Sequence, residues 1–373
     1  MRLLDGLLLL LILLPPVLHL WQGRRMLAKG RSVTQVAAVS VAYSFVPILS
    51  LFYVMGTGFG ERITEATGVG TASLLAIWLP LMLGQWLHLY PAYLLDRQAR
   101  QVDWSFRDYL KANGRPQLLM TAFILPMVLV TPVLEFIFPE PPDSAVPLLV
   151  VGMLLPGALL AWATWRWSKI HYEPVEPALL ARLTGLCAEF GLAPRSIEVM
   201  PLRGGKVANA FIVMGLRPGR PRILLTDYLV STCSSEQVEV ILAHEIGHAK
   251  LGHLRTRLWL TLGTVVVNLA LGGGWAWLAL RVLDLPLVLI IPPFALLGLL
   301  PALLITPLFR RQEFEADQWA ARATGRGAEL AATLEYLEQL NQVEVAKLPR
   351  WLRLMVGHPI TAQRAAALRE QTS

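Results

Sequence analysis

Residues 234–253 read SSEQVEVILAHEIGHAKLGH. Ser234 followed three residues on by Gln237 is a capping-box start, and the periodicity predicts a helix running from there towards His253. On that helix His244 and His248 stand four residues apart, so both imidazoles share one face, one turn from each other. This is the spacing that holds one tetrahedral Zn²⁺ with two nitrogens. Glu245, next to the first histidine, can reach a water on that metal without ligating it, and can carry the water's proton to a leaving amine. A catalytic zinc needs a third protein ligand and one open position. The longer pattern with glycine at 251 and histidine at 254 is absent, since Leu251 and Leu254 stand there. His253 follows His244 by nine residues, about 180° round a helix of 3.6-residue period. It is therefore expected to point away from the metal face and to be structural.

The third ligand is expected from Arg310-Arg311-Gln312-Glu313-Phe314-Glu315-Ala316-Asp317. Glu313 and Asp317 share a helix face, while Glu315 projects to the other side. In that reading Glu313 binds the metal. Asp317 accepts the outer N–H of a ligating histidine and fixes its tautomer.

Around these two stretches the chain is greasy. Of its 373 residues 55% are hydrophobic and 16% charged, and the mean hydropathy is +0.52. Soluble domains carry about 25% charged residues, so a conventional cytosolic enzyme is excluded, as are disordered and collagen-like chains. A bilayer core needs about 20 apolar residues per helix. Such runs lie near 3–21, 33–56, 71–95, 117–138, 145–167, 257–280 and 285–309. The first is read as a retained span that leads into Trp21 and Arg24-Arg25, with Pro15-Pro16 as a kink or break. The net charge of +7 sits in clusters between the runs, which fits membrane orientation and not nucleic acid. Connections 22–32 and 96–116 hold nine Lys and Arg residues; 57–70, 139–144 and 281–284 hold two, Arg62 and Arg281. This asymmetry places the N-terminus outside and the C-terminus in the cytosol.

The expected fold class is thus a multi-span α-helical membrane protein with seven predicted transmembrane helices and a small cytosolic α+β zincin-type catalytic domain. Its segments are 1–167 (five spans), 168–256 (α+β, with the zinc helix), 257–309 (two spans) and 310–373 (helical, with the third ligand). Within 168–256 a helix is predicted over 177–190, then strands Ser196–Leu202, Val207–Met214 and Arg222–Thr226. Arg203-Gly204-Gly205-Lys206 reads as a hairpin-type turn between the first two strands. Further helices are expected over 311–324, 328–343 and 360–370. Cys187 and Cys233 form no disulfide framework and are expected to be reduced.

His244-Glu245-Ile246-Gly247-His248, followed after two spans by Glu313-Phe314-Glu315-Ala316-Asp317, resembles the integral-membrane gluzincins. That group includes the CAAX prenyl protease type and the HtpX type. Asn209-Ala210-Phe211 resembles the family's Asn-Ala edge-strand motif. His358-Pro359 with Arg364 resembles its C-terminal His-Pro…Arg element. Five spans before the zinc helix and two after it are closer to the CAAX type than to the HtpX type, which has two and two. The resemblance implies helices around a large water-filled chamber, with one zinc ion per chain near its cytosolic end. It implies His244, His248 and Glu313 as ligands and Glu245 as general base. It further implies that Asn209 and Ala210 bind substrate backbone, and that His358 and Arg364 stabilise the oxyanion. An edge at Val207–Met214 suits an extended peptide that adds as a strand.

The expected activity is that of a zinc metalloendopeptidase acting on membrane-associated or hydrophobic polypeptides. The alternatives are an HtpX-like quality-control protease and a non-catalytic zinc-containing scaffold. Short loops and an arginine-rich basic set favour a bacterial inner membrane. The partners expected are the polypeptide substrate and the bilayer, with no nucleic acid. His19 and His88 are expected near helix ends at the interface, Glu135 to line an aqueous interior, and Gly272-Gly273-Gly274 to allow close contact or bending.

Overall fold

Each of the seven apolar runs is mostly helical where it is described, the second as two helices. The computed structural model describes residues 3–44, 46–138, 146–202, 204–213, 220–283, 285 and 287–372. The predicted acidic turn 139–144, Arg203, Met214 and the loop residues 216–219 lie outside the described residues, as do positions 45, 145, 284 and 286 of the predicted runs and loops.

The first half of the chain forms α1 Leu3–Ala28, α2 Val33–Ser44, α3 Ile48–Gly56, α4 Phe59–Thr67, α5 Ala72–Arg100, α6 Phe106–Asn113, α7 Arg115–Ile137 and α8 Val146–Trp167. Pro15 and Pro16 lie inside α1 without ending it. The second run is divided instead: Pro47 stands at the N-cap of α3, where its ring suits a helix start and not a continuation. Among the described residues five stretches are long and apolar enough to cross a bilayer: Gly6–Ala28, Val33–Ser50, Ala72–Arg100, Arg115–Ile137 and His253–Ala279. Helix α8 and a later helix, Leu287–Thr324, cover the other two runs. The outer faces of the apolar helices ask for lipid: Phe136 in Arg115–Ile137 is 75% exposed, and Leu269 in His253–Ala279 70%.

Three features singled out in the sequence find their surroundings here. His19 and His88 lie inside α1 and α5, buried and stacked on one another, 4.3 Å between ring centroids. Glu135 accepts the N–H groups of Gly70 and Thr71, both at 2.7 Å, so it satisfies the start of α5. Gly273 and Gly274 face open space and mediate no close helix contact.

The α+β segment comprises β1 Glu173–Pro174, α9 Pro177–Glu189, β2 Ser196–Met200, β3 Ala210–Val213, β4 Arg222–Thr226, α10 Asp227–Thr232 and α11 Ser235–Lys250. The sheet order is β1-β2-β4-β3. β2 runs parallel to β4, and β3 is antiparallel to it. The predicted β2–β3 hairpin is therefore wrong: β4 lies between them. The two glycines serve another end, because a Cβ at Gly205 would stand 2.5 Å from the Trp104 ring. They let the 101–105 connection dock against the sheet segment.

Helix α11 opens with the predicted capping box, Ser234 and Gln237 each holding the other's backbone N–H. One side packs on the sheet through Ile241, Leu242 and Ile246, against Leu183, Cys187, Ile223 and Leu225. The other side packs through Val240 and Ala243 on the helices that follow. Fully burying one leucine such as Leu242 stabilises by about 1.5–3 kcal/mol, so α11 is fixed from two sides. Cys187 and Cys233 are both free thiols.

α11 ends at Lys250 with Leu251 as its C-cap, Gly252 takes φ +72°, and α12 His253–Arg281 begins at once. α13 Leu287–Thr324 is one 38-residue helix, so the predicted helix 311–324 is its continuation, with no breaker between Arg310 and Thr324. The chain closes with α14 Gly327–Asn341, a 3₁₀ turn Val345–Lys347, α15 Arg350–Met355 and α16 Thr361–Thr372.

Both basic connections meet the polar segments at one end of the molecule. Thr34 accepts the Glu344 N–H at 2.6 Å, and Gln35 donates to the Lys347 carbonyl. Arg100 donates to the Asn341 carbonyl at 2.8 Å. The Asn341 amide in turn pairs with both the N–H and the C=O of Ala208, just ahead of β3.

Candidate metal centre

Two helices build the centre. α11 carries His244, Glu245 and His248; α13 carries Glu313 and Asp317. Gly247 lets them meet, because a Cβ there would stand 3.1 Å from the Ala316 carbonyl oxygen of α13.

The Nε2 atoms of His244 and His248 lie 3.2 Å apart. Glu313 completes the triangle, with Oε2 3.7 Å from His244 Nε2 and Oε1 3.5 Å from His248 Nε2. Bonds of about 2.0–2.1 Å in a tetrahedron place ligand atoms about 3.3–3.4 Å apart. The triangle thus fits one tetrahedral Zn²⁺ by donor type and by spacing. It is the one His/Cys/Asp/Glu group of this kind among the described residues.

The outer nitrogens are also held. Asp317 Oδ1 lies 2.9 Å from His244 Nδ1, which keeps the proton on Nδ1 and turns the Nε2 lone pair into the triangle. His248 Nδ1 lies 3.0 Å from His253 Nδ1, and His253 Nε2 lies 3.1 Å from Glu315 Oε2. The network that frees His248 Nε2 has His248 donating to His253 and His253 donating to Glu315. His253 therefore does not point away from the metal face. The helical-wheel argument fails because Gly252 breaks the helix before it, and Glu315, which does project to the other side, is its partner.

Charge surrounds the Glu313 carboxylate. Arg257, in the first turns of α12, reaches its Oε1 at 2.8 Å. His358 Nδ1 is 3.1 Å from its Oε2, and Arg364 stands 3.4 Å away. Arg364 spends its two short bonds on Asp317, both 2.7 Å. Sequence reasoning had no handle on Arg257, since a lone arginine at the start of an apolar run reads as an interfacial anchor.

Burial pushes the Glu313 carboxyl up, but the His358 hydrogen bond and the His244, His358 and Arg364 charges outweigh it and hold it well below the usual range. Burial, aided by the His244 charge, pulls His248 down to about 3, so its ring is neutral at neutral pH, as a metal-binding imidazole must be. Burial lowers His244 as well, yet the Asp317 carboxylate overrides this and raises it. Glu245 is raised by burial, as suits a group that must accept a proton near neutral pH.

A cleft of about 330 Å³ joins these groups to β3; it is lined by Asn209, Ala210, His244, Glu245, His248, Glu313, His358 and Arg364 among others. Every site residue expected from the sequence borders this cleft, apart from Asp317, which stands behind His244. Ala210 and Ile212 turn their backbone groups away from β4, because Asn209 is the one that exchanges hydrogen bonds with Thr226. The Asn209 side chain accepts the Ala210 N–H at 2.9 Å. What remains at the sheet end is the Ala210 carbonyl and the backbone of Ile212.

The sequence model of peptidase family M48 matches residues 176–372. A protease HtpX homolog of Pyrococcus abyssi is 24% identical over 209 residues, 53% of this chain and 66% of the relative. Protease HtpX homolog 2 of Methanosarcina mazei is 28% identical over 188 residues, 47% and 59%. Metalloprotease LoiP of Escherichia coli is 27% identical over 210 residues, 55% and 75%. The chain thus spans under two thirds of the length of both HtpX homologs. In fold it is similar to the crystal structure of S. mikatae Ste24p, with a TM-score of 0.61 at 19% identity over 94% of this chain and 89% of that one.

Proposed function

The chain belongs to peptidase family M48, and from that premise we propose that it is a zinc-dependent membrane endopeptidase that hydrolyses membrane-associated or hydrophobic polypeptides. The observation that carries this reading is the convergence of His244, His248 and Glu313 within 4.8 Å, beside Glu245 and the outer edge of β3.

His244, His248 and Glu313 would hold the Zn²⁺, which would supply Lewis acidity to water and to a peptide carbonyl. An extended substrate adds to the β3 edge through the Ala210 carbonyl and Ile212, with Asn209 keeping that end of the strand in register. Glu245 accepts the proton of the attacking water and delivers it to the leaving nitrogen. His358, 66% exposed at the mouth of the cleft, and Arg364 face the charge that develops on the carbonyl oxygen. Asp317 and His253 keep the two imidazoles oriented.

The seven apolar helices are read as seven crossings, five before the zinc helix and two after it, in the segment layout given above. The N-terminus lies outside, and the site faces the cytosol at a bacterial inner membrane. The basic connections that gather at the end holding the polar segments support this orientation. The HtpX names of the relatives support the alternative of an HtpX-like protease; Ste24p-like coverage of nearly the whole chain supports the five-plus-two arrangement.

The test is metal analysis and peptide cleavage by the purified full chain beside Glu245→Gln. The expected result is one zinc in both proteins and a rate lower by roughly 10²–10⁴ in the variant. Equal rates overturn the base assignment, and a wild type without zinc overturns the whole reading.

A further inference from the structure

Away from the metal centre, α1, α2 and the α15 segment enclose a groove of about 720 Å³. Its floor is apolar: Trp21, Ala38, Val39 and Leu352 line it. Its rim is basic: Arg25, Lys29 and Arg31 line it too, and no acidic residue does. None of these three cations has a carboxylate partner among the described residues, in contrast to Arg97, Arg100, Arg182 and Arg326, each paired within 2.9 Å. Arg25 lies over the Trp21 ring at 5.3 Å, and Trp21 is 58% exposed. That is the arrangement of an aromatic anchor and a cation at the headgroup level.

The third wall has the same character. α15 reads RWLRLM, with Leu354 and Met355 exposed and Arg350 and Arg353 facing a neighbouring hollow lined by Arg310 and, again, by no acid. A short helix of alternating cations and large apolar side chains is built to lie in a membrane surface.

We propose that this groove is a binding site for an anionic phospholipid. The phosphate rests among Arg25, Lys29 and Arg31, and one acyl chain runs along Trp21, Ala38 and Leu352. Charge complementarity selects the occupant: an apolar slot at the end of an apolar helix, with Arg25 and Lys29 unpaired on its rim and Arg31 shared with an adjoining hollow that holds Glu335, Glu338 and Glu344, matches an amphiphile with a negative head. Because α15 leads directly into His358, the lipid braces one wall of the cleft as well.

The test uses the full chain purified in neutral detergent, with native mass spectrometry counting retained lipid. The probes are dioleoyl phosphatidylglycerol, dioleoyl phosphatidylcholine and glycerol phosphate. One phosphatidylglycerol is expected to stay bound, with phosphatidylcholine at least tenfold weaker. The R25Q/K29Q/R31Q variant is expected to lose at least tenfold in retention, and Ala38→Trp, which fills the slot and keeps every charge, to lose it too. The R97Q/R107Q/K111Q variant removes cations from the other basic connection and is expected to bind as the wild type does. Equal retention of the two lipids, equal losses in the two charge variants, or glycerol phosphate binding as well as the lipid would each overturn the proposal. Far-ultraviolet circular dichroism of each variant accompanies the measurement, and Ala38→Trp keeps the test open should the triple variant misfold.

Discussion

The molecule buries two pairs of histidines, and they differ in every respect that decides chemistry. His244 and His248 stand 4.7 Å apart with rings at 90°, so their lone pairs turn towards a common point. Each outer nitrogen has a partner, and a carboxylate closes the triangle. His19 and His88 stand 4.3 Å apart with rings only 20° from parallel. Near-parallel rings aim their in-plane lone pairs side by side, where no single ion can take both. Their Nδ1 atoms have no hydrogen-bond partner, and their other nitrogens bond to Ser40. Burial of histidine is thus not itself a signal. What matters is convergence: one helix at i, i+4 supplies it, and two crossing helices here do not.

The sharpest way to break this contrast is to replace each ring by phenylalanine. His244→Phe or His248→Phe is expected to take bound zinc from about one per chain to background, with cleavage lost. His19→Phe and His88→Phe keep a stackable ring and are expected to leave metal content and cleavage unchanged. Loss of metal from His88→Phe would erase the distinction.

Next in size are the groups behind the ligands. Asp317→Asn and His253→Ala are expected to weaken zinc binding by about 10–100-fold in chelator competition, leaving the fold intact. The larger effect is expected at Asp317, which also seats Arg364. Unaltered affinity in His253→Ala would return that residue to a structural role.

Gly247→Val tests whether convergence depends on the contact between α11 and α13. It is expected to lower stability by roughly 1–3 kcal/mol in thermal unfolding, through overpacking against the Ala316 backbone.

The smallest effect lies on the far face of α11. Burial pushes Glu239 up, but Arg182 and Arg326 outweigh it and hold its carboxyl below the usual range. A carboxyl held low in the folded state stabilises above its ordinary value, and that contribution fades as pH falls through the lowered one. Glu239→Gln is expected to cost about 1 kcal/mol or less at neutral pH and nothing in strong acid, with zinc unaffected. A loss that grows towards acid would reverse the assigned sign.

The metal triangle was legible because its parts obey short-range rules. His244 and His248 sit at i, i+4, Glu313 and Asp317 likewise, and Ser234 with Gln237 marks where the phase begins. The rest depended on chain geometry that spacing does not encode. His253 joined the site because Gly252 adopts a left-handed conformation and restarts the helix. Arg257 became visible only once α12 was seen to pass beside Glu313. Gly204-Gly205 looked like a hairpin because turn chemistry and close approach use the same residue; the ring that requires them, Trp104, lies a hundred positions earlier. The sheet order was hidden for a similar reason, since sequence proximity favoured pairing β2 with β3.

Gly252 has one more consequence. With Leu251 it makes up the two-residue joint between the helix that carries the two histidines and an apolar helix long enough to cross a membrane. The first five residues of that second helix include His253, which steadies His248, and Arg257, which grips Glu313. A fragment trimmed to the water-soluble segments would be missing struts of its own metal cage. On the function proposed above, the bilayer is therefore less an anchorage than a part of the scaffolding, and detergents that loosen the neck of α12 are expected to cost bound metal first.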